Sequence, residues 1–421
     1  MTRLTTHAKV GATALVAALT LSACGGTTAV DATGSPEPGT PQGPLTVWVM
    51  GDSGANLEAA VAPFTAETGI EVKVEAIPWD NVNDRLTTAI ASGSGPDVTQ
   101  IGLSQLASYI EGGALEDISG YIADYPNLDP ANFPSAVSPD SMNPDGGVYS
   151  VPWVSDTRVL FYRSDILAEA GIDAPPATWD ELRSAAETLS ARGDGQFGYY
   201  IPQWDAPLPV AYAWQAGAEL VADDGSIVLN TPEFNEAVDH YLGLYADGSV
   251  PTAGDFDQAI GFISGAAPML VSGPYLANAI RSQAPDLEGS WGVTTVPANA
   301  TSTSLFAGSN LGVWSGSKNV DASMQLLNFL ADPETQAAWY EATGELPTAN
   351  AAFDYAALTS DPLVAVYAEQ LQDAKLLPIS TAWDAASSAM LETLNSIAIG
   401  GADKQDALDA LYARVDEINA R

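Results

Sequence analysis

The chain carries a single cysteine, two histidines and few cations, and each shortage removes a class of chemistry. One cysteine excludes an internal disulfide and a metal held by several thiolates. His7 sits in an N-terminal stretch that reads as a removable leader, which leaves His240 as the mature chain's one histidine. Histidine triads and multi-histidine metal sites are thereby nearly ruled out. His240 falls in a helical pattern with Phe234, Val238, Tyr241, Leu242 and Tyr245, and is expected to be structural. Neither a catalytic residue, nor a metal, nor a cofactor is expected. Lys and Arg number 14 against 53 Asp and Glu, for a net charge of −39. A field of that sign repels nucleic acid and anionic lipid headgroups, so neither is expected as a partner. No later stretch approaches the roughly 20 apolar residues of a membrane-spanning helix.

What is present begins with Arg3 and Lys9, an apolar run from Val10 to Leu21, and small residues from Ala23 to Gly26. That order is a secretory signal, and its apolar run is too short to cross about 30 Å of hydrocarbon. Leu21-Ser22-Ala23-Cys24 resembles the bacterial lipobox, in which cleavage precedes the cysteine and its sulfur is acylated. Residues 1–23 are thus expected to be a lipoprotein signal peptide and Cys24 the lipidated residue. Residues 24–43 are almost free of large apolar side chains and read as a flexible tether. The expected location is the extracytoplasmic face of a bacterial cell membrane, reached through the lipid anchor only.

The remaining residues, about 380, exceed what one core usually serves and imply two lobes. Leu45 to Met50, Glu71 to Ile77 and the segment near Asp97 to Ile101 read as strands, separated by helices with Leu57, Val61, Phe64 and with Val82, Leu86, Ile90 on one face. Strand, helix, strand, helix, strand predicts right-handed crossovers in a mainly parallel sheet, and hence an α/β fold. Thr178 with Glu181 predicts a capping box, and Thr231-Pro232 a cap followed by proline at the first helical position. From about Asn319 the pattern is largely helical.

In α/β sheets ligands bind beyond the carboxyl ends of the strands. Asp52, Trp79, and Ser104 with Gln105 follow the first three strands; Trp153 and Asp156 flank a predicted crossing between blocks. Gln203, Trp204, Tyr275 behind Gly273-Pro274, Asn310 behind Gly308-Ser309, and Trp383 complete the candidates. With 10 Trp and 15 Tyr, many in loop-like contexts, a sugar accounts for the mixture. A pyranose lays its C–H faces on aromatic rings and satisfies its hydroxyls with carboxylates and amides. Trp179, Trp291 and Trp339 read instead as core residues.

The segments LTVWVMGDSG, FTAETGIEVKVE, TAIASGSGPDV, GVYSVPWVSDTRVLFYRSDIL, PATWDELRSAAETL and AAPMLVSGPYLANAI, with Asn319 to Pro347, resemble in order and spacing the extracellular solute-binding proteins (family 1) of ABC sugar importers, which include maltose-binding protein. The resemblance implies a two-lobed periplasmic-binding-protein-like fold with a hinge and an interlobe cleft. The lobes are expected to be 44–154 with 307–358, and 155–306 with 359–421. The resemblance also implies a monomer that binds a saccharide and presents it to ABC permease subunits. Asp52 and Asp156 match acidic sugar-binding positions, and Tyr275 and Trp383 match aromatic stacking positions. Ser53, Ile101, Ser104 and Gln105 depart from the maltose-binding pattern and, with Trp79 and Trp153, point to another saccharide, an oligosaccharide. Two alternatives stay open: the acidity fits a cation or polyamine binder, and paired Asp52 and Asp156 fit a carboxylate-dependent glycoside hydrolase.

Overall fold

The structure, a computed structural model, describes residues 43–51, 53–78, 81–134, 137, 146–222, 224–253, 256–378 and 381–420, without the side chains of Asn83, Ser104 and Thr381. The leader, Cys24, the tether, Asp52 and Trp79 lie outside the described residues.

Strands β1 (Leu45–Met50), β2 (Val72–Ile77) and β3 (Val98–Gly102) form where the sequence places them, with β1 between the other two and parallel to both. The helix Gly54–Thr68 buries Leu57, Val61 and Phe64, spaced four and three residues apart, so that one stripe faces the sheet. It stops at Gly69, whose φ of 73° is the left-handed conformation that closes a helix. Helix Val82–Ser92 ends the same way at Gly93 and completes the second crossover.

Beyond β3 the sheet is mixed, which corrects the expectation of a mainly parallel one. Strand β8 (Ser304–Val313) lies antiparallel to β3 and to β4 (Val151–Thr157), and β4 lies antiparallel to β9 (Leu346–Pro347). Only β10 (Ala374–Leu376) pairs parallel with β8. The order is β2-β1-β3-β8-β4-β9, with β10 added on β8. The reason is connectivity. Strand β4 leads out of this sheet into β5 (Val159–Tyr162), the centre of a second, antiparallel sheet with β6 (Met269–Ser272) and β7 (Gly292–Thr294). Strand β8 brings the chain back and therefore runs against both β3 and β4.

Around the second sheet the helices Trp179–Ser190, Pro207–Gln215, Pro232–Ala246, Thr381–Ala398 and Lys404–Asn419 share one core, with Tyr199, Phe234 and Tyr241 fully buried in it. Their caps follow the sequence. Glu181 N donates to Thr178 Oγ1 at 3.2 Å, and Glu181 Oε2 accepts from Ala177 N at 2.8 Å, one residue before the usual partner of a capping box. Phe234 N donates to Thr231 Oγ1 at 3.1 Å, above Pro232. His240 is buried between Trp179 and Tyr212, as a structural residue is. No described helix is long and apolar enough to cross a membrane.

The two crossing strands meet at an irregular point. The β4–β8 register shifts between Pro152 and Val154, opposite Asn310 and Ser309; the next pair is Ser155 with Gly308, whose φ is +138°. A Cβ at Gly308 would lie 1.9 Å from Val154 O, so only glycine fits.

Candidate functional site

A cavity of about 810 Å³ lies between the sheets, against this crossing. Its floor is Val154, Ser155 and Asp156 of β4 with Ala307, Gly308 and Ser309 of β8; one wall carries Gln100, Gly344 and Glu345, the other Tyr275 and Asn278. The volume is within the range of small-molecule sites, about 300–1,000 Å³.

Polar groups on the floor are held by their neighbours. Gln100 Oε1 accepts from Met50 N at 2.8 Å, and its amide donates to Ser309 Oγ at 2.6 Å, tying β1, β3 and β8 together where the cavity begins. Ser155 Oγ donates to Pro347 O at 2.7 Å, which fixes β9 to β4. At the cavity wall Asn278 Nδ2 donates to Thr343 O at 3.2 Å, joining the middle of helix Pro274–Gln283 to the C-terminal end of helix Pro333–Thr343.

The charged groups gather at the crossing. Arg158 Nη1 donates to Asp156 Oδ2 at 2.7 Å, and the guanidinium lies 5.3 Å from the Tyr275 ring centroid. Gly273 makes this possible: a Cβ there would sit 2.2 Å from Arg158 Nη1 and 2.6 Å from Asp156 Oδ1. Burial raises the Asp156 pKa, and the charge and hydrogen bond of Arg158 offset only part of the rise. Asp205, 5 % exposed, is likewise pushed up by burial, held back by Arg158 and pushed further by Asp156. Burial works against the Arg158 charge, but Asp156, Tyr275 and Asp205 together outweigh it and raise its pKa. The cluster is two carboxylates around one cation, with Asp156 Oδ1 buried and without a partner among the described residues.

Of the residues expected at the site, Asp156 and Tyr275 come together on this cavity. Tyr275 is 42 % exposed and offers its ring. Ser104 and Gln105 lie in the short 3-10 turn Leu103–Gln105 after β3, where the Ser104 side chain is outside the described residues and Gln105 does not line the cavity. Trp204, 63 % exposed, precedes Asp205 on a loop held where Gln203 donates to Thr252 O at 3.1 Å and accepts on its own carbonyl from Asn395 at 2.8 Å. Three candidates are placed inside the protein. Trp153 is 1 % exposed and packs on Trp339 at 5.1 Å; Trp383 is 3 % exposed in the core of the second lobe; Asn310 is buried and donates to Ser150 Oγ at 2.9 Å. None of the three lines the cavity.

Arg158, Gln100, Ser309, Asn278 and Asp205 were not expected. Arg158 was within reach of the sequence, because it stands two residues after Asp156, just past the end of β4, close enough in the chain for cation and carboxylate to pair. Among the described residues no three His, Cys, Asp or Glu side chains gather as metal ligands. A smaller cavity of about 340 Å³ beside β1 and β2 is occupied by its own contacts: Glu75 accepts from both Trp48 Nε1 and Arg85, and Arg85 lies over Trp48. It belongs to one sheet alone and has no means of coupling a ligand to the other lobe.

A cavity floored by crossing strands and walled by two α/β sheets is the architecture of a two-lobed binding protein. The sequence profile of the bacterial extracellular solute-binding protein family matches residues 48–337, and the chain belongs to that family. It is similar to the sugar-binding protein MalE of Xanthomonas citri, with a TM-score of 0.82 and 29 % identity over 89 % of this chain and 97 % of that one. It is 28 % identical to the diacetylchitobiose binding protein DasA of Streptomyces coelicolor, over 79 % of this chain and 80 % of the relative. It is 25 % identical to a maltooligosaccharide ABC transporter solute-binding lipoprotein of Streptococcus pneumoniae, over 91 % of both. The two-lobed α/β fold expected from the sequence is the fold of these structures.

Proposed function

We propose that this chain is the lipid-anchored solute-binding component of an ABC importer, which captures a saccharide in the interlobe cavity and delivers it to the permease without chemical turnover. The observation that carries the reading is the Tyr275 ring, the Asp156 carboxylate and the Gln100–Ser309 amide and hydroxyl around one cavity with walls from both sheets. Rings suit the C–H faces of a sugar and the polar groups suit its hydroxyls. The sugar-binding relatives support the same class of ligand.

The lobes of this reading are 44–154 with 307–358, and 155–306 with 359–421, and the protein acts as a monomer. Ligand touching both lobes stabilises the closed form, and a shift from mostly open to mostly closed needs about 5.5 kcal/mol of differential contact. Acylation at Cys24, followed by a tether reaching at most about 60 Å, keeps the loaded protein close to the permease and raises its effective concentration there. Asp52 and Trp79 remain candidate ligand contacts from the first and second strand ends.

A thermal-shift screen against a carbohydrate panel, followed by calorimetry on the best ligand, tests the function, since a ligand that binds only the native state raises its melting temperature. A saccharide binding one to one without being cleaved is the expected result. Stabilisation by polyamines alone, or release of a reducing end, would overturn it.

A further inference from the structure

Glu345 lines the cleft from the 307–358 segment, in the proposed lobe opposite to that of Asp156 and Tyr275, and its place is fixed from several sides. Helix Pro333–Thr343 stops at Gly344, whose φ of 72° turns the chain sharply, and Glu345 N then donates to Thr343 Oγ1 at 3.1 Å. The next residue, Leu346, pairs with Ser155 on the cavity floor. The side chain is aimed as well: Glu345 Oε2 accepts from Trp339 Nε1 at 2.8 Å. Trp339 is 2 % exposed and packs on Trp153, the β4 residue just before the floor residue Val154. A chain of contacts therefore runs from the buried Trp153 through Trp339 to a half-buried carboxylate on the cavity wall.

The chemistry of that carboxylate suits hydroxyl groups. It is an acceptor with two oxygens and about four acceptor sites, of which one indole donor occupies a single site. Hydrogen bonds from a hydroxyl to a carboxylate are shorter than those to a neutral acceptor and about twice as strong. A long side chain already held by a neighbour also loses less freedom when ligand arrives.

We propose that Glu345 is a ligand-binding residue of the cleft, accepting from saccharide hydroxyls, and that Trp339, seated on Trp153, is a positioning residue that sets the carboxylate for them. The inference rests on the cleft binding a saccharide and on the proposed lobes. A sugar bonded to Glu345 on one lobe and stacked on Tyr275 of the other favours the closed form. Trp153 then takes part in binding without touching ligand, as the support of the indole that aims Glu345.

The test is a double-mutant cycle read by calorimetry on the folded protein. Glucose, galactose, maltotriose, cellotriose and xylotriose, extended through the carbohydrate panel, supply the probe, which is the saccharide that binds tightest. Glu345→Gln keeps an acceptor for the indole and should weaken that saccharide about tenfold, with the melting temperature of the free protein hardly changed. Trp339→Phe keeps a ring against Trp153 and removes the N–H, and should weaken the same saccharide about fivefold. If the indole acts through Glu345, the double variant binds within about twofold of Glu345→Gln alone, far from the roughly fiftyfold loss that independent effects would give. Binding by Glu345→Gln within about twofold of the parent overturns the inference, since the glutamate then only satisfies the indole, and leaves the proposed function standing. Effects that multiply in the double variant overturn the positioning role of Trp339. Should Trp339→Phe fail to fold, the Glu345→Gln measurement decides alone. Binding of no saccharide at all removes both the inference and the proposed function.

Discussion

His240 lies flat against Trp179, with ring centroids 4.0 Å apart and planes 13° apart, and Tyr212 meets its edge at 4.8 Å. Burial, helped by the nearby Arg183 charge, pushes the imidazole pKa down to about 3. In the unfolded chain it returns to about 6.5, so between those values the unfolded state binds the extra proton. The sign follows: stability is intact above pH 6.5 and is lost as pH falls toward 3. His240→Phe keeps the stacked ring and removes the proton. Between pH 7 and pH 5 it should lose about 2 kcal/mol less stability than the parent in denaturant titrations. Equal losses would show that His240 is charged in the fold.

Tyr275 and Trp383 were expected to do the same work, and their surroundings separate them. Tyr275 is 42 % exposed on the cavity, whereas Trp383 is 3 % exposed in the core with Met390 and Leu394. Tyr275→Ala should weaken the best ligand about tenfold, the worth of one aromatic contact, while the melting temperature of the free protein hardly changes. Trp383→Ala should cost about 3–5 kcal/mol of stability. Calorimetry and thermal melts on both variants decide the matter, and the assignment fails if the tyrosine variant binds as the parent does.

That contrast shows where the sequence is legible. The strands β1 to β3 and the caps at Thr178 and Thr231 follow from local chemistry, and each is found in place. Trp383 was legible as well, for Trp383, Ala386, Met390 and Leu394 keep helical spacing and share the buried face. Trp153 was not. Strand β4 is buried on both faces along nearly its whole length, so the alternation that separates core from cleft is missing. Asp205 and Gln100 reach the site through pairings far apart in the chain, which no local pattern reports.

Gly308 makes the crossing of β4 and β8 sensitive to one methyl group. Its φ of +138° disfavours any side chain, and a Cβ would meet Val154 O at 1.9 Å. Gly308→Ala should therefore cost at least about 2 kcal/mol, more than the few tenths by which alanine usually stabilises a compatible site. Chemical denaturation measures it. Because Gly308 also lines the cleft, the same variant should bind ligand more weakly under conditions where it is fully folded. A variant as stable as the parent would mean that the two strands do not approach as described.

The net charge of −39 offers a way to tell a neutral ligand from a cationic one. The ion pair in the cleft already sets Arg158 against Asp156, with Asp205 left over, so the excess charge at the site is negative. Such a field would draw in a polycation at low salt, and screening would weaken that attraction as the Debye length falls from about 10 Å at 0.1 M to about 3 Å at 1 M. A neutral saccharide gains nothing from the field, and its affinity depends on hydroxyl and ring contacts that salt leaves alone. Between 0.05 and 0.5 M sodium chloride the dissociation constant of the captured ligand should change by less than about twofold, where a polyamine would weaken by tenfold or more. A steep loss would mean that the acidity belongs to the binding mechanism and that the cargo is a cation.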